Sequence, residues 1–172
     1  MTNEITHFPI NVNSVSDANV TSSYGYRTHP VTGEKSVQHH GVDFGVPKGE
    51  PIYAVAGGKV IHHGWESSNP NVGYGKRISI KFDEDSDYFD RYGHLSEFAQ
   101  GIEKGSIVEA GQLIGYAGST GSSTGNHLHY ERSYKYENPD YDPNVPGSKK
   151  LITESVDVTT DLATPTFSHN IS

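Results

Sequence analysis

The chain has 172 residues, which is enough for one domain with a substantial core. It carries 13 basic and 21 acidic side chains, and the formal net charge of −8 argues against a polyanionic partner such as nucleic acid or an acidic membrane surface. No stretch approaches the ~18 apolar residues of a membrane-spanning helix. The absence of cysteine excludes disulfides and thiolate metal sites, and the unusual feature is a set of ten histidines.

Short strand-like runs separated by Gly, Pro, Asn and Asp dominate the middle of the chain, and helical periodicity is nearly absent. Pro51–Ala56 and Lys59–His63 flank Gly57-Gly58, which predicts a hairpin with a two-residue turn. The best helical candidate is the short segment Ser96–Gln100. The later strand-like runs are Arg77–Phe82, Tyr88–His94, Ile107-Val108, Leu113–Ala117 and His127–Arg132. This pattern predicts an all-β fold, either a sandwich or an open, barrel-like sheet.

The two ends of the chain differ from the middle in composition. Residues 1–20 are polar and rich in Asn and Ser, and residues 146–172 combine Pro-Gly-Ser-Lys-Lys with a Thr-rich stretch. We expect an N-terminal arm at 1–20, a folded domain at 21–145 and a tail at 146–172 that docks on a partner or stays mobile. The first residues lack the basic start and apolar run of a secretory signal peptide, so no export signal is expected.

Two segments resemble ligand-binding loops but do not complete the pattern. Asp83–Asp87 looks like the start of a calcium loop, yet Tyr88 and His94 stand where an EF-hand needs Gly and Glu. Gly115–Gly125 is rich in glycine but has no lysine and runs into a strand-like segment, unlike a phosphate-binding loop. The sequence therefore predicts a solvated acidic loop and a tight glycine-rich loop at these places.

Three short segments carry the residues with the clearest chemical potential: His39-His-Gly-Val-Asp43, Tyr92-Gly-His-Leu95 and His127-Leu-His129. They supply imidazoles and a carboxylate without sulfur, which is a donor set that suits a catalytic zinc centre. In a strand His127 and His129 project from one face while Leu128 points into the core. The even separation of His39 and Asp43 also allows these two side chains to share a face.

Together these segments resemble, in order and spacing, the LytM/lysostaphin-type zinc endopeptidases of the M23 peptidase family. The similarity extends over about Thr21 to Pro143. Tyr24–Gly33 is similar to the family's lead-in, Pro47–Val60 to the strand, turn and strand after the first motif, and Gly111–Gly121 to the run before the last. The sequence departs from the family pattern at Asn126, where a proline is common.

The resemblance implies a LytM-like antiparallel β-sheet groove, of the duplicated-hybrid or barrel-sandwich type with little helix, that holds one Zn²⁺ ion. By motif position it implies His39, Asp43 and His129 as the zinc ligands. His94 and His127 fall on the two further active-site histidines, which handle proton transfer and stabilise the oxyanion. The implied activity is hydrolysis of peptide bonds in bacterial peptidoglycan, in cross-bridges or stem peptides.

Three protein ligands leave one zinc position for water, whose pKa the metal lowers towards about 7. Which of His94 and His127 acts as the base stays open at this stage. Tyr24, Tyr26 and Asn126 are candidates for contact with the substrate. For the two tyrosines, a role as packed aromatic side chains is an equal alternative.

Two other classes of function stay open. One is a non-catalytic relative that binds the cell wall, or serves as a structural virion module, while keeping a zinc site. The other is a closed structural zinc site with four protein ligands, in which His94 or His127 is the fourth.

The expected setting is extracellular, at the bacterial cell wall, or in a phage virion. The protein would then be a bacteriophage endolysin or a tail-tip wall hydrolase whose arms dock onto other virion proteins. A trimmed domain of a bacterial autolysin is the alternative. The sequence leaves open the scissile bond, the host, the oligomeric state and whether the N-terminal arm blocks the zinc.

Overall fold

The computed structural model describes residues 5–12, 18–27, 37–83, 86–121, 123 and 125–158, of which 26–27 and 37–39 are described by their backbone. These residues form twelve strands and no helix. The strands are β1 (Val20–Ser22), β2 (Gly25–Arg27), β3 (Val37–His39), β4 (Val42–Gly45), β5 (Pro51–Tyr53), β6 (Gly58–Trp65), β7 (Lys76–Lys81), β8 (Tyr88–Phe98), β9 (Ile107–Val108), β10 (Leu113–Ala117), β11 (His127–Glu137) and β12 (Leu151–Val156). None of the described segments is a helix long and apolar enough to span a membrane.

Ten strands form one antiparallel sheet, with the main order β1-β4-β11-β8-β7-β6-β9. β12 adds to β11, and β5 joins through β10 to β8. β2 and β3 form a separate antiparallel pair. This open antiparallel sheet confirms the all-β fold class that the sequence predicts.

The predicted hairpin across Gly57-Gly58 is wrong, because its two flanking runs pair with other strands. β5 pairs with β10, whereas β6 pairs with β7 and β9. Between them, the backbone of Ala54 receives a hydrogen bond from Gly111 N at 2.7 Å and donates one to Gln112 O at 2.9 Å. Long-range backbone pairing therefore satisfies the groups that a local turn was expected to pair.

The predicted helical segment Ser96–Gln100 is also wrong. β8 continues through Phe98, and Ala99 N donates to Ile114 O on β10 at 3.0 Å. Pairing with β10 gives hydrogen-bond partners to backbone groups that a short helix would leave unsatisfied at its ends.

Side chains alternate cleanly across the strands at the centre of the sheet. Val42 and Phe44 on β4, and Leu128 and Tyr130 on β11, are buried in the core. The residues between them, among which are Asp43 and His129, therefore project from the opposite face. This alternation separates a hydrophobic face, which stabilises the fold, from a polar face that is free to carry chemistry.

A buried ion pair fixes β8 against β11. Asp90 and Arg132 lie directly opposite one another, and the guanidinium donates through Nε at 2.8 Å and through a terminal nitrogen at 3.1 Å. The Tyr130 hydroxyl donates a further bond to Asp90 Oδ1 at 2.8 Å. Because removing one partner would leave an uncompensated buried charge, this register is strongly specified.

Both ends contribute to the described structure. Ile5, Phe8 and Ile10 lie in the hydrophobic core, and Thr6 N donates to Val55 O at 3.0 Å. At the other end β12 pairs with β11, and Val158 is fully buried. The boundaries predicted at residues 20 and 145 stay predictions.

Candidate active site

Three neighbouring strands place the candidate ligands in one row on the polar face. Asp43 on β4 lies opposite His129 on β11, which in turn lies opposite Gly93 on β8. Asp43 Oδ1 is 2.8 Å from His129 Nδ1, and it is 3.8 Å from His127 Nε2. One carboxylate is therefore within reach of both imidazoles of the His-x-His segment.

A break in strand alternation brings His94 into the same site. In a regular strand His94 would point away from the face that Gly93 presents. Its φ of 61° lies in the left-handed region, which His tolerates better than most residues at a cost on the order of 1 kcal/mol. The His94 ring instead lies 4.6 Å from the His127 ring and 6.1 Å from the His129 ring, measured between centroids.

Backbone carbonyls orient the rings of His94 and His127. His94 Nδ1 donates to Thr120 O at 2.6 Å, and His127 Nδ1 donates to Gly125 O at 2.9 Å. Because a carbonyl only accepts, each neutral ring keeps its lone pair on Nε2. Burial and the neighbouring His127 and His129 lower the pKa of His94 to about 4 against the raising effect of the Thr120 bond, so this ring is neutral at pH 7.

The carbonyl that holds His94 is itself anchored between two loops. The Thr120 hydroxyl donates to Leu95 O at 2.8 Å and accepts from Lys76 N at 3.0 Å. The next residue, Gly121, donates through its backbone to Pro70 O at 2.8 Å. The orientation of His94 thus depends on contacts between the 66–75 loop and the 118–126 loop.

Sequence reasoning missed the residue behind His129. Glu131 lies two residues further along β11, on the same face, and its Oε1 is 3.2 Å from His129 Nε2. Burial alone would raise the pKa of Glu131, but hydrogen bonds from His129, Tyr74 and Ser133 outweigh it and lower the pKa to about 2. The period-two pattern that groups His127 with His129 extends to Glu131 and could have identified it.

His129 therefore lies between two carboxylates, Asp43 at Nδ1 and Glu131 at Nε2. Burial alone would lower the pKa of His129, but the hydrogen bonds to both carboxylates outweigh it and raise the pKa to about 9. The electrostatics of this position favour positive charge, which a divalent cation bound by Asp43 and Nδ1 would also supply.

The segment that carries His39 runs directly past this ring. A Cβ atom on Gly41 would lie 2.9 Å from His129 Cε1 and 2.3 Å from Tyr130 O, so only glycine fits there. The side chain of His39 lies outside the described part of the structure. Among the side chains that are described, no three His, Asp or Glu residues form a cluster that could hold a metal ion.

The three candidate substrate contacts are placed unevenly. Tyr24 is half-buried and its hydroxyl is 3.0 Å from Ser155 Oγ on β12, an atom that also lies 3.1 Å from His40 Nδ1. The side chain of Tyr26 lies outside the described residues, and Asn126 is exposed immediately before His127. Their roles stay predictions, whereas Asp43, His94, His127 and His129 are brought together in one site.

Residues 37–143, which are more than half of the chain, match the family described as Peptidase family M23. The chain belongs to this family. It is 39% identical to lysostaphin from Staphylococcus simulans over 114 residues, which cover 66% of this chain and 22% of that protein. The crystallised catalytic domain of lysostaphin aligns with a TM-score of 0.62 and 30% identity, over 87% of this chain and 95% of that domain.

Two further M23 relatives come from Vibrio cholerae. The peptidoglycan DD-endopeptidase ShyB is 40% identical over 113 residues, 65% of this chain and 24% of that protein. A structure described as a zinc containing peptidase aligns with a TM-score of 0.57 and 38% identity, over 73% of this chain and 36% of that one. The chain thus matches about a quarter of the length of its curated relatives, which are endopeptidases of the M23 metallopeptidase family.

Proposed function

We propose that this M23 protein is a zinc-dependent endopeptidase that hydrolyses peptide bonds in bacterial peptidoglycan. The observation that carries the proposal is the contact of Asp43 Oδ1 with His129 Nδ1 at 2.8 Å, with the rings of His94 and His127 packed beside it. These contacts support the proposal because a carboxylate and three imidazoles lie close together on one face of the sheet.

The donor set fits zinc. Asp43 and His129 would hold the ion together with His39, whose segment passes the His129 ring at Gly41. Two imidazoles and one carboxylate are among the ligand sets that catalytic zinc sites use, with one further position open. When bound, zinc polarises the scissile carbonyl and makes a water molecule a stronger nucleophile.

His94 and His127 would move protons at their Nε2 atoms. Both rings are held through Nδ1 by backbone carbonyls, so both present an Nε2 lone pair that can accept a proton and later return it. In its protonated form the same nitrogen can donate a hydrogen bond to the oxyanion. Because both rings are held in the same way, through Nδ1, either ring can serve as the base.

Peptidoglycan is the proposed substrate because relatives such as ShyB are named for that activity. Within the wall, a DD-linked stem peptide and a cross-bridge are the two bond classes to test. The phage setting expected from the sequence stays a prediction.

The decisive experiment incubates the full chain with purified cell walls from several species and identifies released fragments by mass spectrometry. We expect new peptide termini, loss of cleavage after treatment with a strong chelator, and recovery on adding zinc. Adjacent histidines offer a matched pair: His39→Ala should abolish both zinc binding and cleavage, whereas His40→Ala, at an exposed side chain, should leave both near the parent level. Cleavage undiminished by the chelator, or walls left intact by a zinc-loaded chain, would overturn the proposal.

A further inference from the structure

We propose that Glu131 is a positioning residue for the metal ligand His129, and that Tyr74 and Arg91 hold Glu131 in place for this task. The inference rests on the proposed zinc site and goes beyond it by naming the residues that orient one of its ligands. None of the three belongs to the histidine motifs that the sequence brings forward.

Glu131 is buried, with 2% of its surface exposed, and both of its carboxylate oxygens are engaged. Oε1 accepts from the Tyr74 hydroxyl at 2.5 Å and from His129 Nε2 at 3.2 Å. Oε2 accepts from Ser133 Oγ at 2.8 Å and from an Arg91 guanidinium nitrogen at 3.2 Å. A buried carboxylate is costly unless it is paired in this way, so the network fixes Glu131 in a single orientation.

This orientation determines which nitrogen of His129 is presented to a metal. The Tyr74 and Ser133 hydroxyls and the Arg91 guanidinium already donate to Glu131, so its carboxylate meets the His129 ring as an acceptor and favours a hydrogen on Nε2. Nδ1 faces Asp43 at 2.8 Å, on the side where an ion held by that carboxylate would lie, so Nδ1 is the atom that would bind the ion while Nε2 keeps its hydrogen for Glu131. A carboxylate behind a metal-binding histidine commonly fixes its tautomer and raises its basicity.

Tyr74 reaches Glu131 because Gly93 leaves room for it. A Cβ atom on Gly93 would lie 2.9 Å from Tyr74 Cδ1, so the tyrosine ring lies directly over this point of β8. From there the Tyr74 ring packs 5.2 Å from the His129 ring, and the Arg91 guanidinium lies 5.5 Å from the Tyr74 ring. The same side chain therefore limits tilting of the His129 ring and holds the carboxylate behind it.

The test measures zinc affinity by competition with a chromophoric chelator, in the full chain and in variants. Glu131→Ala should weaken zinc binding by about 10- to 100-fold, the usual effect of losing such a partner. Glu131→Gln keeps an acceptor oxygen and should retain most of the affinity. Tyr74→Phe, which loses only a hydroxyl, should have a smaller effect than Glu131→Ala, and cobalt-substituted Glu131→Ala should show an altered visible spectrum.

Glu154 offers a matched control. It lies on exposed β12, and its carboxylate accepts hydrogen bonds from the Tyr134 and Tyr136 hydroxyls at 2.8 Å each, away from His129. Glu154→Gln and Tyr134→Phe remove equivalent groups and should leave zinc affinity unchanged.

The outcomes separate this inference from the proposed function. A parent chain that binds no zinc contradicts the proposed function itself. A parent that binds zinc, with Glu131→Ala unchanged in affinity and in cobalt spectrum, shows that Glu131 only stabilises the fold. If Glu131→Ala does not fold, Tyr74→Phe and Glu131→Gln decide. Weaker zinc binding in Tyr74→Phe, with most of the affinity retained in Glu131→Gln, then supports positioning, whereas parent-level affinity in Tyr74→Phe overturns the inference.

Discussion

The site consists of two halves that are built in different ways. The candidate ligands Asp43 and His129 face each other because β4 and β11 pair in one register, with side chains that alternate regularly across the sheet. His94 and His127 depend instead on loop carbonyls, at Thr120 and Gly125, and His94 also needs a left-handed backbone. Strand pairing is rigid and loops are less so, which implies that metal binding and turnover can be disrupted separately.

Asp43→Ala should have the largest effect, because it removes a proposed ligand from the strand-built half. We expect this variant to lose zinc binding. Cleavage of cell walls should fall by about 10³-fold or more, because a bound metal stabilises the transition state by several kcal/mol. Zinc content by elemental analysis and fragment release by mass spectrometry check both parts. If the variant kept one zinc per chain and cleaved walls normally, Asp43 would not be a zinc ligand.

His94→Ala tests the loop-oriented half. We expect zinc to remain bound while kcat falls by about 10²- to 10⁴-fold, the contribution of a positioned acid or base. Equilibrium dialysis with zinc, followed by turnover on a defined muropeptide, separates the two quantities. Because His129→Ala should lose the metal, it is the natural comparison. Equal loss of zinc in both variants would mean that the two halves do not have separate roles.

The two halves also differ in how far the sequence predicts them. Period-two spacing places His127 and His129 on one face with Leu128 in the core, and the structure has this arrangement. The same spacing reaches Glu131, but its partners Tyr74 and Arg91 come from other parts of the chain and have no local signal. The position of His94 is harder still to predict. Strand alternation alone would point its side chain away from the site, and nothing local in the sequence indicates a positive φ at that residue.

Long-range pairing explains why the hairpin prediction is wrong. Gly57-Gly58 has the composition of a hairpin turn, yet β5 pairs with β10, whose sequence lies more than fifty residues away. At Gly121, in the glycine-rich segment 115–125, the backbone makes a close approach to another loop of the protein, since a Cβ atom there would lie 2.4 Å from Gly73 O and 2.4 Å from Gly75 N.

Gly121→Ala should therefore produce the smallest of these effects, and one confined to the loop-oriented half. Its φ of 78° and the backbone contacts at Gly73 and Gly75 leave no room for a methyl group, so the two loops must separate. We expect a loss of about 1–3 kcal/mol in the free energy of unfolding. Because Thr120 no longer holds the His94 ring firmly, kcat should fall on the order of tenfold, less than the hundredfold that a ~1 Å misplacement can cost. Gly101→Ala is the control, since Gly101 has a similar φ of 82° but a Cβ atom there meets nothing within 4 Å. Zinc affinity should be unchanged in both variants, and a weakened affinity in Gly121→Ala would show that the loops also support the strand-built ligands.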